Sequence, residues 1–278
     1  MVHADGKNTA GAEPGDNVRG ATVIIKKLVA ALLVSLLAVV SASLPAYAAD
    51  DKVHLDRAPI KLDDTASLQR GAALFVNYCL NCHSANYMRY NRLADIGLND
   101  KEILDNLVFT GGKVGDLMKI AMDVNDAKTW FGAAPPDLTV IARSRASGDG
   151  SGADWLYTYM RTFYRDPSRP TGWNNTTFPN VGMPHVLWEL QGEQELKAEK
   201  VRADGYMATV QKPALAKPGK LSPIEYDRAV ADLVNYLVYM GEPAAKSRKT
   251  IGLIVLGFLL LLIPLVYALK TEFWKDIH

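Results

Sequence analysis

The two cysteines of this 278-residue chain lie three positions apart, and a histidine directly follows the second one. They are Cys79, Cys82 and His83, within the stretch NYCLNCHSANYMRYN at residues 77–91. The CxxCH pattern is typical of haem attachment, in which two thiols form thioether bonds to the vinyl groups and the histidine ligates the iron. The pattern therefore predicts one covalent haem c, held by Cys79 and Cys82, with His83 as an axial ligand.

Three other uses of a close pair of thiols compete with haem attachment: a redox-active dithiol, a zinc site and a disulfide. A structural zinc site needs four ligands, and only histidines remain in this sequence as likely further ligands. A thioredoxin-like CxxC pair is expected within a βαβ pattern, which the sequence does not show. Haem attachment is therefore the favoured interpretation.

The second axial ligand is predicted to be Met183, in the segment FPNVGMPHV. Gly182 and Pro184 place this methionine on a loop that can bring its thioether to the iron. His185 is the alternative, and bis-histidine ligation would lower the reduction potential, whereas a His/Met pair raises it. An iron with both axial positions filled by protein cannot bind oxygen or a substrate, which leaves electron transfer as the predicted function. The other methionines weighed are expected in the core or in a charged region: Met118, Met122, Met160, Met240 and Met207.

Two apolar stretches predict export and membrane anchoring. Residues 28–48 follow Lys26 and Lys27 and end in small residues, as a secretory signal peptide does, so cleavage is expected near Ala48 or Ala49. An uncleaved anchor helix is the alternative. Residues 251–269 carry no charge and are long enough, at about 1.5 Å per residue, to span a bilayer as a helix. A buried helix of a soluble domain is the alternative for this second stretch.

These signals predict three regions: residues 1–49 as an N-terminal extension and signal peptide, 50–246 as an exported haem domain, and 247–278 as a transmembrane anchor with a short cytoplasmic tail. Basic residues before the span oppose the positive-inside rule, but the signal peptide is expected to set the orientation. From residue 50 to residue 249 the chain holds 25 Lys and Arg against 25 Asp and Glu. This neutral balance argues against a nucleic-acid partner.

The exported region is predicted to be mostly helical. Apolar residues recur at helical spacing over residues 68–79, with Asp64 or Thr65 as the cap, so the first cysteine should end a helix. A second helix should begin at the capping box of Ser222, Pro223 and Glu225 and stop at Gly241. Gly71 would let these two helices cross closely. Shorter helices are predicted over residues 100–110, 114–122 and 154–164, and an irregular, functional loop over residues 165–184.

The order and spacing of these motifs resemble those of the cytochrome c1 family in its proteobacterial form. The similar segments are YCLNCHSANYMRYNRL, WFGAAPPDLT, RPTGWN, FPNVGMPHVLWELQG and the basic RK before a single C-terminal helix. The resemblance implies a cytochrome c-like haem domain with long loop insertions. It also implies Met183 as sixth ligand, Pro135 and Pro136 beside the haem, Arg145 at a haem propionate, and Trp155 at a neighbouring propionate position where the family often has Tyr.

Members of this family work in quinol:cytochrome c reductase. The resemblance therefore implies an electron-carrier subunit without a substrate-converting site of its own, which takes an electron from the Rieske iron–sulfur protein and passes it to a cytochrome c. Cytochrome b is the expected membrane partner, and the haem domain is expected in the periplasm, anchored to the bacterial inner membrane. Another anchored monohaem cytochrome, of a dehydrogenase or an oxidase, and a membrane-bound thiol oxidoreductase are the alternatives.

Overall fold

A computed structural model describes residues 54–109, 112–203 and 206–276. The predicted N-terminal extension, signal peptide and cleavage site lie outside the described residues. The helices are α1 (Thr65–Leu74), α2 (Asp100–Leu107), α3 (Val124–Phe131), α4 (Ile141–Ser144), α5 (Gly152–Arg161), α6 (Trp188–Gln191), α7 (Pro223–Gly241) and α8 (Ala245–Phe273). A π-helical turn, Phe75–Cys79, continues α1, and a 3-10 helix spans Tyr90–Ile96.

Short strands connect the helices. They are β1 (Ala85–Arg89), β2 (Leu117–Met118), β3 (Phe163–Arg165), β4 (Trp173–Asn175), β5 (Gly192–Ala203) and β6 (Tyr206–Pro218). Within the described residues they form two-stranded antiparallel sheets, β1 with β2, β3 with β4 and β5 with β6. Helices therefore dominate the fold, as predicted, and the sheets are small.

The core forms where α1 crosses α7, and Gly71 lies at the crossing. A Cβ atom at residue 71 would lie only 2.0 Å from the main-chain oxygen of Asp232, so only glycine permits this separation. Arg70 pairs with the Asp232 carboxylate at 2.6 Å on the exposed side. The predicted apolar face of the first helix is buried at this crossing and at the π-helical turn, through Leu68, Ala72, Phe75, Val76 and Cys79.

The N-termini of these two helices follow the sequence signals. Asp64 caps α1 by accepting a hydrogen bond from the Ser67 amide at 3.0 Å. Ser222 caps α7 in a reciprocal capping box with Glu225, and Pro223 is the first helical residue. Apolar residues on α7 recur three or four positions apart, which predicts one buried face. The structure buries all of them: Tyr226, Val230, Leu233, Leu237 and Met240.

The helix predicted over residues 114–122 is wrong. Residues 117 and 118 form β2 and pair with β1, where Met118 lies opposite Ala85. The Asp116 carboxylate accepts a hydrogen bond from the Lys113 amide at 2.7 Å, which favours a turn just before β2. Met118 is fully buried, so its predicted place in the core is confirmed although its helical setting is not.

Two other boundaries differ from the predictions. The helix expected over residues 100–110 ends at Leu107, and the one expected over 154–164 runs from Gly152 to Arg161 and gives way to β3. The loop predicted over residues 165–184 contains β4, which pairs with β3 in the register Arg165 opposite Trp173. The segment is thus a hairpin with a long irregular continuation.

The hairpin of β5 and β6 was not predicted. It begins at Gly192, which has a φ of 95°. A Cβ atom at this residue would lie 2.1 Å from the carbonyl oxygen of Lys217, so the conformation and the close approach both require glycine. The strand sequences, GEQELKAEKVRA and YMATVQKPALAKP, lack a regular alternation of apolar and polar residues, so they give little signal for burial on one face.

The C-terminal helix α8 fits the predicted transmembrane span. Its segment Ser247–Phe273 is the one helix in the described part of the chain that is long and apolar enough to cross a membrane. Its large apolar side chains are exposed, as expected for a helix whose partners are lipid or other subunits. Pro264 lies inside this helix.

Candidate functional site

A cavity of about 270 Å³ opens beside the two cysteines. One side of the cavity is formed by Cys79, Cys82 and His83. Other parts of its wall come from α5, α7 and the loop around Met183. Most of its surface is apolar, which suits a porphyrin. The apolar lining includes Phe131, Ala133, Ala134, Pro135, Pro136, Leu138, Ile141, Leu156, Met160, Val181, Val186, Leu233 and Leu237.

His83 is held in an orientation suited to ligation. Its amide donates to the Cys79 carbonyl at 2.9 Å, which closes a helical turn over the CxxCH motif. Its Nδ1 lies 2.7 Å from the carbonyl oxygen of Pro136, to which an Nδ1–H group donates. Burial lowers the pKa of His83, with smaller opposing effects from the Pro136 carbonyl and Asp137. The imidazole is therefore neutral, and its Nε2 remains available to ligate a metal.

The loop that carries Pro136 is fixed by Asp137. One carboxylate oxygen accepts from the amide of Asn86 at 2.7 Å, and the other accepts from the amide of Thr139 at 2.8 Å. Pro135 and Pro136 both line the cavity. The family resemblance placed these prolines beside the haem, but it did not reveal that the Pro136 carbonyl orients His83.

The two thiols are poorly suited to redox exchange. Both are free, Cys79 is buried and Cys82 is partly buried. Burial raises the pKa of the Cys79 thiol to about 12, aided by the proximity of Cys82, and burial also raises the pKa of Cys82. Reactive dithiols instead have lowered pKa values. No group of three or more His, Cys, Asp or Glu in the described segments is arranged to hold a metal ion, so the zinc alternative finds no support there.

Met183 and His185 lie in different surroundings. Met183 lines the cavity, together with Gly182 and Pro184. His185 is 1% exposed, and its ring stacks on Phe163 at 4.8 Å between centroids and meets Trp173 edge-on at 5.1 Å. Burial lowers the pKa of His185 to about 4. His185 is thus a neutral member of an aromatic cluster, whereas Met183 borders the space that a porphyrin would fill.

The loop carrying Met183 is tied down by two buried asparagines. The Asn175 side chain accepts from the amides of Thr177 and Phe178 at 2.8 and 3.0 Å and donates to the carbonyl of Tyr159 at 2.8 Å. The Asn174 side chain accepts from the amide of Asn180 at 2.8 Å. Since both cysteines lie at the cavity, hydrogen bonds rather than a disulfide hold this loop.

Arg145 lies at the edge of the cavity, stacked on aromatic rings. Its guanidinium carbon lies 4.6 Å from the centroid of Trp155 and 5.7 Å from that of Phe178. Trp155 in turn stacks on Tyr159, with centroids 4.7 Å apart and planes 14° from parallel. Arg145 and Trp155 are therefore close together, as the predicted propionate roles require.

Tyr159 is a polar cavity residue that the sequence interpretation missed. Its hydroxyl oxygen lies 3.4 Å from the sulfur of Met183. Burial raises its pKa, so the hydroxyl keeps its proton and acts as a donor. The i, i+4 spacing from Trp155 on α5 was the available signal, because residues four apart on a helix lie side by side.

This arrangement is that of a c-type cytochrome: an apolar cavity bordered by a CxxCH turn, a neutral histidine oriented for ligation and a methionine thioether. A helix that fits a membrane span follows the cavity domain. The sequence model of the Cytochrome C1 family matches residues 57–110 and 220–277. The chain belongs to the cytochrome c1 family, the haem subunit of the bc1 complex.

Individual relatives cover most of the chain. It is 50% identical to cytochrome c1 of Allochromatium vinosum, over 81% of this chain and 90% of that one. It is 52% identical to a protein of Nitrosomonas europaea named ammonia monooxygenase gamma subunit, over 87% of this chain and 97% of that one. Identity to cytochrome c1 of Rhodospirillum rubrum is 28%, over 77% of this chain and 83% of that one.

Proposed function

We propose that this chain carries one covalent haem c and acts as the electron-transfer subunit of quinol:cytochrome c reductase. The observation that carries the proposal is the meeting of His83 and Met183, far apart in sequence, on one apolar cavity that both cysteines also line. Haem c, when bound, supplies a one-electron couple at its iron. The residues present fit this group in chemistry, because the cavity offers two thiols, an imidazole nitrogen and a thioether.

The residues that would hold the haem have separate roles in this proposal. Cys79 and Cys82 hold the porphyrin through thioether bonds, and His83 and Met183 ligate the iron. The Pro136 carbonyl fixes the tautomer and ring orientation of His83 through the 2.7 Å contact with Nδ1. Arg145 balances the charge of a propionate while it stays stacked on Trp155. The apolar walls exclude water and favour the less charged, reduced state.

The same proposal extends to partners and location. The chain accepts an electron from the Rieske iron–sulfur protein and passes it to a cytochrome c, while cytochrome b packs beside α8 in the membrane. The haem domain lies in the periplasm, and α8 crosses the bacterial inner membrane once and leaves a short cytoplasmic tail. The family and the exposed apolar surface of α8 support this assignment.

The name of the Nitrosomonas relative refers to an ammonia monooxygenase. For this chain, two protein ligands on the iron leave no coordination position for a substrate, which favours electron transfer.

The test is a reduced-minus-oxidised spectrum and a redox titration of the full chain in its complex, with Met183→Leu compared with the parent. We expect Met183→Leu to retain colour and covalent attachment but to lose the high-potential form. Met240→Leu is the matched control, because Met240 is a buried core methionine that does not line the cavity. An unchanged potential in Met183→Leu would move the ligand assignment to His185.

Covalent attachment is tested separately by extracting the denatured protein with acidified solvent. The pigment should remain with the chain in the parent and in Met183→Leu. Release of all pigment from the parent would contradict the roles of Cys79 and Cys82.

A further inference from the structure

The hydroxyl of Tyr159 is a polar group at the cavity that has no role in the function proposed above. The residue is 7% exposed, and its oxygen lies 3.4 Å from the Met183 sulfur. This separation is within the range of a hydrogen bond to sulfur, and a thioether sulfur can only accept. The hydroxyl must therefore be the donor.

The position of this hydroxyl is set by contacts on several sides of the ring. One face of the Tyr159 ring stacks on Trp155 at 4.7 Å, and Phe163 meets the ring at 5.0 Å with planes 65° apart. Trp155 is held in turn under the Arg145 guanidinium. Arg145, Trp155 and Tyr159 thus form a continuous stack, and its last member contacts the Met183 sulfur.

The main chain of Tyr159 is also linked to the loop that carries Met183. Its carbonyl oxygen accepts a hydrogen bond from Asn175 at 2.8 Å, and Asn175 holds the amides of Thr177 and Phe178. Helix α5 and the loop that carries Met183 are therefore hydrogen-bonded to each other at Tyr159, the residue that contacts the Met183 sulfur. Movement of either element would change the distance between the hydroxyl and the thioether.

We propose that Tyr159 is a positioning residue that donates a hydrogen bond to the Met183 sulfur and thereby raises the reduction potential of the centre. The inference rests on the proposed ligation by Met183. The positive end of the O–H dipole draws electron density from the thioether, which disfavours the more positive, oxidised state. Hydrogen bonds to ligands from outside the coordination sphere are an established means of tuning a metal centre.

The expected size follows from the strength of one hydrogen bond. Its net contribution corresponds to about a three- to tenfold change in an equilibrium constant. For a one-electron couple, a tenfold change is 59 mV, so removal of the hydroxyl should lower the potential by about 30–60 mV.

The experiment is a redox titration of the full chain in its complex with Tyr159→Phe, which keeps the ring and its stacking but removes the hydroxyl. The matched control is Tyr157→Phe on the same helix, whose ring stacks under Arg161 at 4.4 Å and does not line the cavity. We expect the lower potential in Tyr159→Phe alone, together with a shift in the absorption band that reports iron–sulfur coordination in the oxidised state.

Met183→Leu, measured in parallel, separates the two possible failures. If Met183→Leu changes the potential strongly and Tyr159→Phe leaves both the potential and the band unchanged, Tyr159 does not tune the ligand, while the proposed ligation stands. If Met183→Leu also leaves the potential unchanged, the ligation is wrong and the inference fails with it. An equal shift in Tyr157→Phe would overturn the inference too, because a general effect on α5 would then explain the result.

Discussion

Replacing Gly71 with alanine tests how closely α1 and α7 must pack. The added methyl carbon would lie 2.0 Å from the main-chain oxygen of Asp232 and 2.7 Å from the Cβ atom of Tyr236. Ordinary contact begins at 3.4 Å, so the helices would have to separate by more than about 1 Å. The neighbours that resist are a helix main chain and a buried side-chain stem, neither of which can rotate out of the way.

The free energy of unfolding should fall by about 1–2 kcal/mol. Forced overpacking of this kind costs about 1–3 kcal/mol, and the better helix propensity of alanine offsets about 0.5–1 kcal/mol of that cost. With about 2–4 °C per kcal/mol for a domain of this size, Tm should fall by roughly 2–8 °C. Because Leu233 and Leu237 of α7 line the cavity, we also expect a smaller fraction of chains with covalent haem.

The measurement is thermal unfolding of the detergent-solubilised full chain, followed by circular dichroism. Gly148→Ala is the control, since a Cβ atom there has nothing within 4 Å and the residue has no positive φ. The control should stay within about 0.5 kcal/mol of the parent. A Tm for Gly71→Ala equal to that of the control would refute the claim that this crossing excludes a side chain.

Two further substitutions are measured by the same unfolding assay. Asn235→Leu should lower the free energy of unfolding by roughly 2 kcal/mol, because it removes three hydrogen bonds of a buried side chain. The Asn235 side chain accepts from the Lys61 amide at 3.1 Å and donates to the Lys61 carbonyl at 2.8 Å and to the Ser67 hydroxyl at 3.0 Å. An unchanged free energy of unfolding would mean that water replaces these bonds without loss. Ser222→Ala should cost about 1 kcal/mol by removing the cap of α7, whereas Ser222→Asp, which can also cap, should stay near the parent.

The features that were predictable from the sequence depend on local rules. The caps at Asp64 and Ser222 and the apolar stripe of α7 involve residues within a few positions of one another, so their spacing is visible in the chain. The same holds for the turn from Cys79 to His83. The close helix crossing at Gly71 was predictable because a glycine on the apolar face of a helix usually marks a place where another main chain approaches closely.

What could not be predicted depends on contacts between distant segments. Met118 lies in a locally helical pattern, but pairing with Ala85 places it on a strand. The flanking Gly and Pro residues were enough to favour Met183 as the cavity residue. The aromatic cluster that encloses His185 could not be predicted, because its rings come from several separate elements. The Tyr159 contact joins a helix to a loop, and no spacing rule connects the two.

The junction between α7 and α8 restricts how the protein can work. Residues 242–244 alone separate Gly241 from Ala245, so the two helix ends can lie at most about 14 Å apart even when this connection is fully extended. The Glu242 carboxylate pairs with Arg248 at 3.0 Å across this junction, and the Glu242 carbonyl accepts from the Ala245 amide at 3.1 Å. So short a connection limits how far the cavity can move relative to α8. Under the proposed function, any long-distance movement during electron transfer is therefore left to the partner proteins.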